Sequence, residues 1–150
     1  MDEYNLEISK LIPAAPAALF RAWTDTAVLA QWFRITDSDA LAVAENDLRT
    51  GGDYRLDVAR ADGTVLRLGG LYHEISDPAR LSFTWRWSFD DGEEAEDTYV
   101  ALTFTETATG DTQLVVLHDE FLDEDDCDWH VELWQGILAQ LAAFAAKIGA

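Results

Sequence analysis

The stretch Leu81-Ser82-Phe83-Thr84-Trp85-Arg86-Trp87-Ser88-Phe89 alternates large apolar side chains with small or charged ones from end to end. A period of two is the mark of a β-strand with one buried face. Upstream, Asp77-Pro78 makes a turn, Val65 to Ile75 is apolar enough for another strand, and Ala61-Asp62-Gly63 has hairpin-turn chemistry. Tyr54, Leu56 and Val58 alternate before that turn. Downstream, the acidic stretch Asp90 to Asp97 reads as a solvated loop. Val100, Leu102 and Phe104, a turn at Gly110, and Leu114, Val116 and His118 then give two more strands. An antiparallel meander accounts for the whole region.

The flanks supply the second layer. Leu6, Ile8 and Ile12 form a strand that Pro13 ends. Pro16 opens a helix carrying Leu19, Phe20 and Trp23, and Asp25 caps a second short helix carrying Val28, Leu29 and Trp32. The segment from Ile35 to Asn46 is undecided, with Leu41-Ala42-Val43 as a short strand before the turn residues Asn46-Asp47. At the other end an acidic segment, Asp119 to Asp128, reads as a solvated loop. It leads into Trp134, Ile137, Leu138, Leu141, Phe144 and Ile148 at helical spacing. Acidic residues near the start of this helix and Lys147 near its end match the helix dipole. A sheet with one long helix laid across a face is an α+β two-layer domain.

Composition bounds the function. The 150 residues suit a single domain, 1–150, and 49% hydrophobic residues with six Trp, four Tyr and seven Phe supply a sizeable core. Ten Lys and Arg against 29 Asp and Glu give a formal charge of −19, which repels phosphate backbones and anionic lipid surfaces. Nucleic-acid and membrane partners are therefore not expected. The single Cys127 cannot form an internal disulfide and suits a reducing compartment. Asp2 and Glu3 stand where a signal peptide has basic residues, and no apolar run of about 18 residues follows, so the expected location is cytoplasmic.

Ala15-Pro16, Ala22-Trp23-Thr24-Asp25, Gln31-Trp32-Phe33, Asp47 to Arg55, Gly70 to Ile75, Arg80 to Trp85, His118 and Trp134 occur in an order and spacing that cover nearly the whole chain. In these features the sequence resembles the family of homologues of the activator of the heat-shock-chaperone ATPase, in the START-like (Bet-v-like, SRPBCC) helix-grip superfamily. The resemblance implies a strongly curved antiparallel sheet gripping the terminal helix around an apolar cavity. The family usually has Gly-Trp where this chain has Leu133-Trp134, and often Trp-Trp where it has Trp32-Phe33. The bulk of Leu133 implies a smaller cavity than in relatives, whereas the small residues Ala139, Ala142, Ala143, Ala145 and Ala146 would leave space in some orientations.

The expected cavity lining is Trp32, Tyr54, Leu56, Tyr72, Phe83, Trp85, Leu102, Val116, His118, Leu133, Trp134 and Ile137. The same aromatic residues also suit plain core packing. His118 ends an inward alternation and is the one candidate for proton transfer, with Tyr72 the hydroxyl expected to share its space; a hydrogen-bonded structural histidine fits as well. Cys127, His130, Glu132, Asp119 and Glu120 contain metal-ligand types but lack a structural-zinc spacing, and no metal or cofactor is expected. Arg49 beside Gly51-Gly52 reads as a tight turn in which Gly takes positive φ and Arg reaches a carboxylate or carbonyl. Phosphate-loop, GxSxG and HExxH motifs are absent from the sequence. Three readings follow: a domain binding a small apolar or aromatic molecule, a protein-interaction domain acting on a chaperone ATPase, and an enzyme of polyketide-cyclase type.

Overall fold

Strands β1 (Tyr4–Ile12) and β2 (Ala40–Asn46) are the two edges of a curved seven-stranded antiparallel sheet in the computed structural model, which describes residues 4–88 and 96–148. Between them run β3 (Asp53–Ala59), β4 (Val65–Ser76), β5 (Arg80–Ser88), β6 (Thr98–Glu106) and β7 (Thr112–Phe121), in the order β1-β7-β6-β5-β4-β3-β2. The meander is as the alternation predicts. Leu81, Phe83, Trp85 and Trp87 all point into the core. Phe89 and most of the acidic stretch from Asp90 lie outside the described residues.

Helices α1 (Pro16–Thr24) and α2 (Thr26–Trp32) lie in the connection from one sheet edge to the other. Pro16 sits in the first turn of α1, where no N–H is required. Asp25 ends α1 and caps α2 through Oδ1, which accepts from the N–H of Ala27 (2.9 Å) and Val28 (3.4 Å). The Trp32 indole donates to the Ala22 carbonyl at 2.9 Å and ties the two helices together. The undecided segment after α2 folds around Asp39, whose buried carboxylate accepts from the N–H of Ile35 and Thr36 and pairs with Arg60 at 2.8 Å. The strand that follows is longer than Leu41–Val43, and Asn46 belongs to it rather than to a turn.

The long helix α3 (Glu124–Ile148) begins well before Trp134, and the acidic segment from Asp119 is a correction to the sequence reading. Asp119 and Glu120 complete β7, and residues from Glu124 onward already form the first turns of α3. Acidic side chains are stable there because the exposed N–H groups of the helix start attract them; Asp123 Oδ1 accepts from the N–H of Asp125 at 2.8 Å. Leu133, Trp134, Ile137, Leu138, Leu141 and Ala145 form the buried stripe. Ala139, Ala143 and Ala146 face solvent, so the space expected from the alanines reduces to the region of Ala142 and Ala145. Among the described residues no helix is long and apolar enough to cross a membrane.

Candidate functional site

An apolar cavity opens beneath α1 and α2, not beneath α3. Its walls are Trp23 and Leu29 from the short helices, Phe33 just after α2, Glu45 and Asn46 from β2, and Tyr54, Leu56, Leu68, Tyr72, Phe83 and Trp85 from β3 to β5. The volume open to the centre of a water molecule is about 20 Å³, room for roughly one water. Rings fill most of the sheet face here: Tyr54, Tyr72 and Phe83 meet pairwise at centroid distances of 5.4 to 6.4 Å.

Polar groups gather at this wall. The Asn46 amide donates to the Thr24 carbonyl at 2.7 Å and to the Tyr72 hydroxyl at 3.2 Å, joining α1, β2 and β4. The Tyr54 hydroxyl donates to the Thr84 carbonyl at 2.5 Å. Burial raises the pKa of Tyr54 well above the phenolic range and raises Tyr72 as well, so both hydroxyls keep their protons. The indole N–H groups of Trp23 and Trp85 are buried and have no acceptor among the described residues. A buried donor without a partner costs about 1–3 kcal/mol.

His118 lies elsewhere, on β7 under α3, fully buried. Its Nδ1 accepts from the Trp134 indole at 2.9 Å. The Thr98 hydroxyl donates to the Trp85 carbonyl at 2.9 Å, so the 2.7 Å contact between its oxygen and His118 Nε2 has the imidazole as donor. The ring is therefore neutral, with its proton on Nε2, and both nitrogens are engaged. His130 makes a parallel arrangement: Nε2 accepts from the Trp87 indole at 3.0 Å, leaving Nδ1 to donate to the Asp126 carbonyl at 2.8 Å. The two imidazole rings are 5.0 Å apart. Burial, reinforced by His130, holds His118 well below the ordinary imidazole value, and burial lowers His130 too.

Of the twelve residues expected to line a cavity, the structure brings together Tyr54, Leu56, Tyr72, Phe83 and Trp85. Trp32, Leu102, Val116, His118, Trp134 and Ile137 are buried in the surrounding core and form none of that wall. Leu133 is buried at a separate surface groove with Ile35, Arg60, Trp129 and Glu132, so its bulk does not set the cavity's size. Tyr72 bonds Asn46 rather than sharing space with His118. Cys127 is buried, and no cluster of three or more His, Cys, Asp or Glu suited to a metal occurs among the described residues. Arg49 reaches Asp47 at 2.7 Å beside Gly51, whose φ is 83°, as the turn chemistry predicts. Sequence reasoning missed Trp23, Leu29, Phe33, Glu45, Asn46 and Leu68 as wall residues. The helical spacing of Trp23 and Leu29 shows only that they are buried, and Asn46 looked like a turn.

The fold and its relatives agree. A protein from Chromobacterium violaceum is 27% identical, with a TM-score of 0.81 over 94% of this chain and 96% of that one. The AHSA1 protein from Silicibacter pomeroyi is 25% identical, with a TM-score of 0.82 over 95% and 98%. A putative uncharacterized protein from Rhizobium leguminosarum, 24% identical, shares the fold at a TM-score of 0.82 over 97% and 96%. No curated protein matches the chain. The family profile described as Activator of Hsp90 ATPase homolog 1-like protein matches residues 13–146, and with it the curved sheet and long terminal helix establish that this chain belongs to that START-like family.

Proposed function

We propose that the domain binds a small apolar or aromatic molecule carrying a hydrogen-bond acceptor, in the cavity beneath α1 and α2. The observation that carries this reading is the pair of buried indole donors, Trp23 and Trp85, both on the cavity wall and both without an acceptor among the described residues. A carbonyl, ether or phenolic oxygen placed there would recover the cost of leaving them unpaired. Ligand sites commonly hold about 300–1,000 Å³, so a cavity of about 20 Å³ is the closed state, and α1 and α2 must move off the sheet for a ligand to enter. Binding is favoured over proton-transfer catalysis because both nitrogens of His118 are already used inside the core.

Native mass spectrometry of the protein against pairs of aromatic molecules, with and without one acceptor oxygen, tests the proposal. The oxygen-bearing member should bind about tenfold tighter, as one hydrogen bond predicts, and Trp85→Phe should remove most of that preference. Equal binding of both members, or no binding by either, would reject it.

The family description suggests a second reading, a protein-interaction domain acting on a chaperone ATPase. What favours it is Trp129, 41% exposed near the start of α3 beside a groove of about 160 Å³, because half-exposed Trp is enriched at interfaces. A change in the turnover of a purified heat-shock chaperone ATPase on adding this protein, lost in Trp129→Ser, would support it.

A further inference from the structure

Tyr54 and Tyr72 stand side by side on the cavity wall, their ring centroids 5.5 Å apart, yet their hydroxyl protons have different fates. The Tyr54 hydroxyl gives its proton to the Thr84 carbonyl. The Tyr72 oxygen instead takes a hydrogen from the Asn46 amide at 3.2 Å. A third group fixes the direction of that bond. The same Asn46 nitrogen lies 2.7 Å from the Thr24 carbonyl, which only accepts, so turning the amide over would set two oxygens against each other. Both Asn46 N–H bonds are thereby spent, one on each partner. The proton of Tyr72 itself has no acceptor among the described residues. Burial raises the pKa of this hydroxyl and keeps the proton in place.

This donor lies at the other end of the cavity from the two indoles. The Trp23 and Trp85 rings both pack on Trp134 of α3, at 5.9 and 5.1 Å, whereas the Tyr72 hydroxyl is tied to Asn46 on the edge strand β2. Between the two ends the wall is apolar. Lys, Arg and His are absent from it among the described residues, and its one carboxylate residue, Glu45, is exposed and pairs with Arg55 in the register of β2 and β3. A ligand carboxylate or phosphate in this space would be a buried charge without a counter-ion, a strongly unfavourable arrangement.

We infer, resting on the reading of this cavity as a ligand site, that it selects a neutral molecule with acceptor oxygens at opposite ends of an apolar or aromatic body, one meeting the Trp23 and Trp85 indoles and the other the Tyr72 hydroxyl. Tyr72 is the specificity-determining donor. Asn46 is a positioning residue: by giving one hydrogen to Thr24 and one to Tyr72 it makes the Tyr72 oxygen an acceptor and leaves the phenolic proton for the ligand. A diketone or a diester has the required pattern. A hydrocarbon leaves both ends of the cavity unpaired, and a carboxylate adds an uncompensated charge.

Ligand-observed NMR titration with four para-substituted benzenes of similar size tests this selection: diethylbenzene, ethylacetophenone, diacetylbenzene and the anion acetylbenzoate. Affinity should rise from the first to the third by about three- to tenfold for each carbonyl, as one neutral hydrogen bond predicts. The anion should bind about tenfold more weakly than diacetylbenzene, or weaker still. Tyr72→Phe, checked for folding by thermal unfolding, should bring diacetylbenzene to the level of ethylacetophenone and change diethylbenzene binding by less than about twofold. Equal weakening of all three neutral compounds would show that Tyr72 only shapes the wall, and an undiminished preference for diacetylbenzene would show that another group reads the second oxygen. Either result overturns the inference and leaves the cavity a ligand site, as does tighter binding of acetylbenzoate than of diacetylbenzene. No binding by any of the neutral compounds would reject both readings together.

Discussion

The two ends of the aromatic core use the same donor and treat it differently. Beneath α3, the buried indoles of Trp134 and Trp87 each donate to an imidazole. Beneath α1 and α2, the indoles of Trp23 and Trp85 are also buried, have no acceptor among the described residues, and stand at the wall of an apolar cavity. The contrast is one of energy: a paired buried donor specifies and rigidifies a fold, whereas an unpaired one carries the cost of its lost hydration.

The largest effect should come from the sealed end. Trp134 is fully buried and touches the rings of Trp23 and Trp85 at 5.9 and 5.1 Å, so Trp134→Ala should lower unfolding free energy by about 3–5 kcal/mol in urea titrations. A loss under about 1 kcal/mol would show that the sealed end is no more essential than a surface.

The histidines sharpen the same contrast through pH. Both have folded-state pKa values below the ordinary 6.5, so as pH falls through that value the unfolded chain takes up protons first. Stability present above pH 6.5 is therefore lost below it, by up to about 1.4 kcal/mol per pH unit for each histidine. Comparing unfolding midpoints at several pH values between neutral and mildly acidic, His118→Gln should have a flatter pH profile than the unaltered protein. Identical slopes would mean that His118 does not titrate with unfolding.

Smaller still is the effect expected at the cavity mouth. Tyr72→Phe removes the bond from Asn46 to the Tyr72 hydroxyl but leaves the Asn46 bond to Thr24, so the cost should be about 0.5–1.5 kcal/mol. Ligand binding, measured by displacement of an environment-sensitive dye, should respond more than stability does. Leu133→Ala completes the series: it reshapes the groove beside Trp129, so dye binding in the cavity should not change. A gain in dye binding there would connect the two ends of the core.

The order of strands and helices was legible because alternation and 3.6-residue spacing are local properties of the chain. Leu81 to Trp87 and Trp134 to Leu141 bury the sides their spacing predicts. The acidic run from Asp119 misled because charge marks solvent exposure and not loop: a strand end and the first turn of a helix are exposed as well. Which donor meets which acceptor is not local. His118 finds Trp134, and His130 finds Trp87, only after β7, β5 and α3 are brought together. Likewise, Asn46 meets Tyr72 and the Thr24 carbonyl only when β2, β4 and α1 come together. The sequence by itself determined a curved sheet closed by a long helix. Tertiary structure alone decided that the indoles of Trp134 and Trp87 are satisfied and that those of Trp23 and Trp85 meet no acceptor among the described residues, because a hydrogen bond depends on a few tenths of an ångström between residues far apart in the chain.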